Sequence, residues 1–564
     1  MFLPTTKQEM KKLGWHKLDI ILVTGDAYID SPYMGTSVIG KVLLNKGYKV
    51  GIIAQPDMDS KDDITRLGTP SLFWGVSGGA IDSMVANYTA LKKRRKSDDY
   101  TPGGINNKRP DRAVIAYTNL IKKYFKSKTP IVLGGIEASL RRISHYDFWS
   151  NKIRRSILFD AKADYIVFGM GEKTIVELAD KLKQNLDIKN VRGVGYISKT
   201  NIDEYIEVPS FEEVSTDKEK FTKSFHIFYD NNDAITAKGI VQKHGARYLV
   251  LNPGQKPLST DELDSVYNLN FQRELHPYYK KNGEVKALET IKFSIPSHRG
   301  CYGQCNFCAI SVHEGTTVTW RSEASILKEA SNLTKLKDFK GTIHDVGGPT
   351  ANMYGFECDK KLKKGICKDK RCLVPNICKN LKPDHANQIS LLDKLKALKG
   401  IKNVFIGSGI RHDLIMEDHK NGQQYLVKII KDHVSGQMKL APEHSCSGVL
   451  ELMGKPDISS IPEFRKNFNR ITKKIGKKQF LTYYLIAAHP GCTKKEMQEL
   501  KEFTKRELKI NPRQVQIFTP TPSTYSTLMY YTEQDPFSGL NIFVEKDFRG
   551  KENQKKIMFH PKLP

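Results

Sequence analysis

Nine cysteines occur in this chain of 564 residues, and all of them fall between Cys301 and Cys492. Three stand in one short run, Arg299-Gly300-Cys301-Tyr302-Gly303-Gln304-Cys305-Asn306-Phe307-Cys308, with the spacing Cys-x3-Cys-x2-Cys. Thiolates this close on one loop can hold three irons of a cubane. A structural cluster takes four cysteines, so this set leaves one iron without a protein ligand, which is what chelation of a substrate or cofactor requires. A secreted disulfide scaffold would spread its cysteines through the fold, whereas one dense region points to metal chemistry.

Cys358, Cys367, Cys372 and Cys378 follow, with x8, x4 and x5 between them. Four thiolates could saturate an auxiliary [4Fe–4S] cluster or a structural zinc, although zinc sites usually carry a Cys-x2-Cys knuckle that is missing here. Four reduced cysteines without metal are the other reading. Cys446 and Cys492 have no partner pattern and read as packing residues.

The elements that must position these residues come in two alternating series. Asp19 to Val23, Tyr48 to Ala54, Pro130 to Leu133 and Asp164 to Phe168 read as buried strands, with a helical apolar stripe from Thr36 to Lys46. This rhythm predicts a doubly wound α/β domain over residues 1–208. Residues 209–285 are polar and irregular, with apolar islands such as Tyr248-Leu249-Val250-Leu251, and read as a connector packed between two domains. A second series places strands at Ile291–Ile295, Thr342–Val346, Asn403–Ile406, Gln437–Ala441, Phe480–Ile486 and Val515–Phe518. It predicts a partial or full β/α barrel over 286–535, with a Cys-rich insertion at 355–380 and a C-terminal tail at 536–564. Barrel function sits at the C-terminal ends of the strands, and the Cys-x3-Cys-x2-Cys run follows the first strand directly.

The composition narrows the class further. With 90 Lys and Arg against 62 Asp and Glu, the formal net charge is +28. At ~100–200 residues per domain the length suits roughly three domains, which disfavours a disulfide-stapled peptide or a disordered chain. No run reaches the ~18–20 apolar residues of a membrane span, and Met1 to Gly14 lacks the apolar stretch of a secretory signal, so a cytoplasmic protein without a membrane partner is expected. The charge permits a polyanionic partner such as RNA. Lys92-Lys93-Arg94-Arg95-Lys96, and Arg141-Arg142 near Tyr146, Phe148, Trp149, Arg154 and Arg155, could form its basic, aromatic-laced face. A solvated helix end beside core aromatics explains the same residues more simply.

With Phe307 before its third cysteine, the loop resembles the cluster motif of radical S-adenosylmethionine (SAM) enzymes. The phrases His298-Arg299-Gly300-Cys301, Asp345-Val346-Gly347-Gly348-Pro349-Thr350-Ala351-Asn352-Met353-Tyr354 and Leu440-Ala441-Pro442-Glu443-His444 resemble the YgiQ-like radical SAM proteins. That likeness runs from Asp19-to-Asp30 to Thr519-Pro520-Thr521-Pro522. It implies a [4Fe–4S] cluster on Cys301, Cys305 and Cys308, with SAM chelating the open iron. It further implies that Gly347-Gly348 offers backbone carbonyls to the methionine amine, although Pro349 replaces the Glu that follows in the superfamily. Ser408-Gly409-Ile410-Arg411 would contact the ribose through Ser408 and the methionine carboxylate through Arg411. Gly436-x-Met438-x-Leu440-x-x-Glu443 resembles the stretch that supports the adenine, with Leu440 in place of its second Gly.

The resemblance also implies a reaction. One electron, from a flavodoxin- or ferredoxin-type donor, cleaves SAM to methionine and a 5′-deoxyadenosyl radical that takes a hydrogen atom from an unnamed substrate. The alternatives are an RNA-modifying enzyme of the methylthiotransferase kind, and a non-catalytic iron–sulfur electron-transfer protein. Those methylthiotransferases carry a second cluster on an N-terminal domain, whereas no cysteine precedes Cys301 here. Asp30-Ser31-Pro32-Tyr33-Met34-Gly35 lies where cobalamin-binding domains place Asp-x-His-x-x-Gly, and Gly169-Met170-Gly171-Glu172 resembles their later Gly-rich turn. Pro32 offers no ring-nitrogen lone pair in place of that His. The N-terminal domain is therefore expected to be cobalamin-binding-like in fold, without bound cobalamin.

Overall fold

Every residue of Ile20–Thr24 (β1) and Val50–Ala54 (β2) is buried, as a parallel strand covered by helices on both faces requires. β1 pairs in parallel with β2 on one side and with Phe73–Ser77 (β3) on the other. Ile131–Gly134 (β4) and Tyr165–Val167 (β5) extend the parallel half. Its order, β2-β1-β3-β4-β5, is that of flavodoxin-like sheets, in which ligands bind at the carboxyl ends of β1 and β3. The computed structural model thus contains the doubly wound sheet expected from the sequence, and it describes residues 1–512 and 514–559.

Residues 209–285 are not a connector. Val194–Ser198 (β6), Ile206–Val208 (β7), Ile240–His244 (β8) and Arg247–Leu251 (β9) complete one nine-stranded sheet in the order β7-β8-β9-β6-β5-β4-β3-β1-β2. Further along, Glu274–Leu275 pairs antiparallel with Ile29–Asp30. The hairpin of β8 and β9 exposes Lys243, Gly245, Ala246 and Arg247 at its tip, and those polar positions hide two strands inside a stretch of mixed composition. One unit is therefore Met1–Leu258 with Ser265–Lys292, and the other is Ser259–Asp264 with the chain from Phe293 onward.

The second unit is an open, six-step β/α series. Ser294–Pro296 (β10) pairs in parallel with Asp345–Gly347 (β12), and Thr342–Ile343 (β11) with Asn403–Val404 (β13). An Ile410–Leu440 bridge carries the third step to Gln437–Glu443 (β14), which pairs with Phe480–Ala487 (β15), which in turn pairs with Gln516–Ile517 (β16). Helices Glu323–Leu333, Ala386–Ala397, Gly422–Asp432, Ser460–Ile475 and Lys494–Arg506 alternate with these strands. This is the partial barrel expected. Its boundary at 535 is too early, because the tail helix Phe548–Ile557 packs on Lys494–Arg506, β15 and β16. There the buried Gln554 accepts from Ala488 N at 3.0 Å and donates to Cys492 O at 2.9 Å.

The first unit fills its own β1/β3 crevice. A Cβ on Gly25 would stand 2.1 Å from Gly78 O, so the backbones touch there. Buried Arg109 donates to Gly78 O at 2.9 Å and pairs with Asp26 at 2.7 Å and Asp98 at 3.0 Å. Glu137, also buried, accepts from Ser83 N at 2.9 Å and Val114 N at 3.1 Å. The basic, aromatic-laced stretch is interior in part, since Lys93 to Lys96 and Arg155 are exposed. Arg141 is buried against Asp82, and Arg142 lies 4.8 Å over Phe168 and 4.4 Å over Phe228. Tyr146 and Phe148 are core residues.

Replacing Arg109 by Met leaves Asp26 and Asp98 buried without their cation. The expected cost is about 3–5 kcal/mol of stability, read as a lowered urea midpoint for the transition that includes the first unit. An unchanged midpoint would show that the trio is not what seals the crevice.

Candidate functional site

The cysteine loop leaves β10 and is closed at its base by an antiparallel pair, His298–Arg299 against Thr319–Trp320. Gly300 makes the turn at φ +81°, where an added Cβ would meet Thr317 O at 2.1 Å, so glycine is required on both counts. Cys301 N donates to Gly315 O at 3.2 Å, Cys308 N to Cys305 O at 3.0 Å and Asn306 N to Met453 O at 2.8 Å. The run is thus a backbone-pinned loop at a strand end rather than a free linker.

Its three thiols line one cavity of about 270 Å³, together with Gly303, Phe307, Pro349, Thr350, Arg411, Asp413, Glu443, Lys455 and Tyr484. Gly303 is the cradle between them. A Cβ there would lie 3.2 Å from Cys301 Sγ, 3.8 Å from Cys305 Sγ and 3.5 Å from Arg411 Nη1. Burial and the neighbouring Cys305 raise the Cys301 thiol, while Gly303 N–H, Thr350 and Arg411 pull the other way. Burial and Cys305 also push Cys308 up. Such thiols ionise when a metal takes the place of their protons. Among the described residues no three His, Cys, Asp or Glu side chains converge on one metal-ion position. A cubane puts its irons at separate corners, each taking one thiolate, and the three cysteines that line this cavity offer one thiol each.

The other predicted residues divide. Arg411 faces the cavity, but Asp413 holds its Nε and Nη2 edge, with Nε–Oδ1 at 2.9 Å, which leaves Nη1 toward the cysteine loop. Burial notwithstanding, Arg411 with His412 and Lys455 keeps Asp413 well below the usual carboxylate range. Glu443 also lines the cavity, at φ +67° beside a register shift between β14 and β15. A non-glycine residue held in the left-handed region at a cleft is a mark of a functional constraint. Burial raises the Glu443 carboxyl, with Lys455 opposing.

Gly347, Gly348 and Ser408 stand one layer back. Gly347 O already accepts from Ser297 N at 2.7 Å, and the cavity wall falls at Pro349 and Thr350 instead. The two glycines allow close packing, since a Cβ on Gly348 would stand 2.6 Å from His298 Nε2 and one on Gly347 2.7 Å from Ser408 Oγ. Ser408 Oγ donates to Asp345, whose Oδ1 also accepts from Gly407 N at 2.7 Å. Its role is to fix the turn that carries Gly409 to Arg411.

The support for Arg411 has no sequence signature. Asn352 accepts from Arg411 N at 2.8 Å and donates to Arg411 O at 2.9 Å, clamping that backbone on both sides. Behind it, Asn352 Nδ2 lies 3.3 Å from His385 Nε2, and His385 Nδ1 lies 2.8 Å from Asp418 Oδ2. With Nδ1–H given to the carboxylate, Nε2 accepts from the amide. Although burial opposes it, hydrogen bonds from His385 and Asn421 hold Asp418 at about 2. Elsewhere, Cys492 Sγ lies 3.5 Å from His444 Nε2 in a buried packing cluster. Loss of the clamp in Asn352→Ala is expected to weaken SAM binding about thirtyfold, as two hydrogen bonds of ~1 kcal/mol would. Iron content would be unchanged; equal affinities by equilibrium dialysis would remove the clamp's role.

Residues 2–294 match the radical SAM N-terminal family model. A UPF0313 protein of Fusobacterium nucleatum subsp. nucleatum is 57% identical over 558 residues, covering 99% of this chain and 98% of that protein. One from Thermotoga neapolitana is 51% identical over 566 residues, covering 100% and 99%. Among solved structures, the fold is similar to the radical S-adenosylmethionine methyltransferase TsrM from Kitasatospora setae, at TM-score 0.51 and 12% identity over 90% of this chain and 75% of that one. It is also similar to the cobalamin-dependent S-adenosylmethionine radical enzyme OxsB, at TM-score 0.51 and 12% identity over 92% of this chain and 55% of that one. At such identity the two structures speak for the fold alone, whereas the full-length relatives and the family model speak for kinship: the chain belongs to the UPF0313 family, the YgiQ-like group of radical SAM proteins.

Proposed function

We propose that this chain is a radical SAM enzyme that holds one [4Fe–4S] cluster on Cys301, Cys305 and Cys308 and reductively cleaves SAM to act on a substrate outside the reach of its motifs. The observation that carries this is the shared cavity, in which three thiols on one loop face Arg411, Glu443 and the Pro349-Thr350 turn. When bound, the cluster supplies the electron that breaks the sulfur–C5′ bond of SAM and so produces the 5′-deoxyadenosyl radical. The chain supplies position. Arg411 presents one prong, Nη1, to a carboxylate while Asp413 locks the other edge; a guanidinium so held is already oriented when the ligand arrives. Ile410, Ile458, Ile461 and Tyr484 form apolar wall around the same space, which holds water off a reactive site.

The residues of the first unit do not fit a corrinoid at the crevice its sheet offers. Arg109, Asp26, Asp98 and Glu137 fill that crevice from within. Asp30, at the position of the cobalamin-domain motif, is spent on buried Lys41 at 3.0 Å. TsrM has been seen with cobalamin and OxsB is cobalamin-dependent; the reading for this chain has SAM and iron–sulfur as its cofactors. A flavodoxin- or ferredoxin-type donor completes the set. Among the described residues no helix is long and apolar enough to cross a membrane.

The test is reductive SAM cleavage by the reconstituted, full-length protein. 5′-Deoxyadenosine is expected with dithionite, falling to background in Cys305→Ser along with about half or more of the bound iron. A fully loaded protein that releases none would favour the electron-transfer reading. Steep salt-dependent retention of cellular RNA would instead revive the RNA-modifying one.

A further inference from the structure

The Cys-rich insertion does not hang free of the cysteine loop. Arg371 donates to Gln304 O at 3.0 Å and to Asn306 Oδ1 at 2.7 Å, two residues of the Cys-x3-Cys-x2-Cys run. Tyr302, also in that run, is fully buried in an apolar cluster that includes Cys358 and takes in Cys301, Cys372 and Cys378 at its edge. Cys378 N donates to Cys372 O at 2.8 Å. Three of the four insertion cysteines are therefore gathered on the flank of Tyr302. Cys367 follows on the loop between them.

One feature of this gathering lacks a structural explanation. The Tyr302 hydroxyl has no hydrogen-bond partner although the residue is wholly enclosed, and an enclosed phenol normally finds an acceptor. Lys361 is buried as well. Its Nζ lies 2.8 Å from Glu357 Oε2 and 2.8 Å from Thr316 O, and it stands 5.1 Å over the Tyr302 ring. Glu357 balances that charge and is itself fixed by Val318 N and Cys358 N, both at 2.7 Å.

We propose that Cys358, Cys372 and Cys378, completed by Cys367, hold a second iron–sulfur cluster, with the Tyr302 hydroxyl donating to its sulfur. The donor set suits iron–sulfur rather than zinc. Zinc sites usually carry a Cys-x2-Cys knuckle, which the spacings x8, x4 and x5 lack. Sulfide or thiolate sulfur is the acceptor the phenol lacks, and Lys361 lies beside the added negative charge. Tyr302 would then touch both sites, since its neighbour Cys301 belongs to the first.

The site stands apart from SAM cleavage, and the experiment keeps the two separate. Full-length protein made and reconstituted without oxygen is expected to carry about eight irons and eight sulfides per chain; about four of each would overturn the proposal without any variant. Cys301→Ala/Cys305→Ala/Cys308→Ala is expected to keep about half the iron and an EPR signal on reduction. Adding Cys358→Ala and Cys372→Ala to that variant takes both to background. Iron lost entirely in the first variant, iron retained in the second, or zinc found in place of iron would each overturn it. Protein with about eight irons that releases no 5′-deoxyadenosine would sink the proposed function and leave the second cluster standing.

Discussion

The chemistry of the second unit rests on one backbone closure. His298–Arg299 pairs with Thr319–Trp320, and Gly300 turns at positive φ against Thr317 O, so the chain between must leave and return at one point. Without it, three cysteines within eight residues would sample many arrangements, and each ordered residue would carry its own entropic cost. The closure also aims the loop. Pinned at Gly300 on one side and at Asn306 by Met453 O on the other, it can place its thiols only on the face where Arg411 and Glu443 emerge from the next strand ends. A barrel concentrates function at that rim because successive strands deliver side chains to the same place from distant stretches of sequence.

What could be read in the sequence follows from range. The cysteine run was legible because its donors lie within one loop, and the strands because apolar periodicity is local. The nine-stranded sheet was only half visible: β1, β2, β4 and β5 are continuous apolar runs, whereas Gly75 and Ser77 interrupt β3, and the exposed tip of the β8–β9 hairpin disguised two strands as a connector. The tail helix was missed because its buried contacts come from Lys551 and Gln554, polar residues whose partners, Tyr530 OH and Cys492 O, no pattern announces. Gly347, Gly348 and Ser408 stand at the strand ends, beside the Pro349 and Thr350 that line the cavity. Which neighbour a serine hydroxyl chooses is settled by Asp345, far away in sequence. Asn352, His385 and Asp418 span 66 residues and meet only in space.

The first unit illustrates how side chains can fill the crevice a sheet order opens. Its sheet order opens a crevice between β1 and β3, yet Gly25 and Gly78 bring the two strand ends into contact and Arg109 seals the gap with two carboxylates. Each of these groups is costly to bury alone and stable only as a set. A ligand entering there would have to displace the set and leave several charges unpaired. Similarity of fold to TsrM and OxsB does not by itself say what the crevice holds.

Net charge can now be separated from site charge. The excess of +28 lies in residues spread along the whole chain, and the basic, aromatic stretch that could have gathered it for RNA is turned inward at Arg141 and Arg142. Around the cysteines the cations are few and already engaged: Arg411 by Asp413, Lys361 by Glu357. Lys455 differs. Among the described residues it has no carboxylate within ion-pair distance, and its Nζ donates to Ala441 O at 2.6 Å in the cavity wall. With Arg411 Nη1, it is the positive charge left for an anionic guest. Two such charges are what a bound carboxylate beside a thiolate-ligated cluster requires, so the electrostatics of the cavity, rather than of the whole chain, carry the functional information.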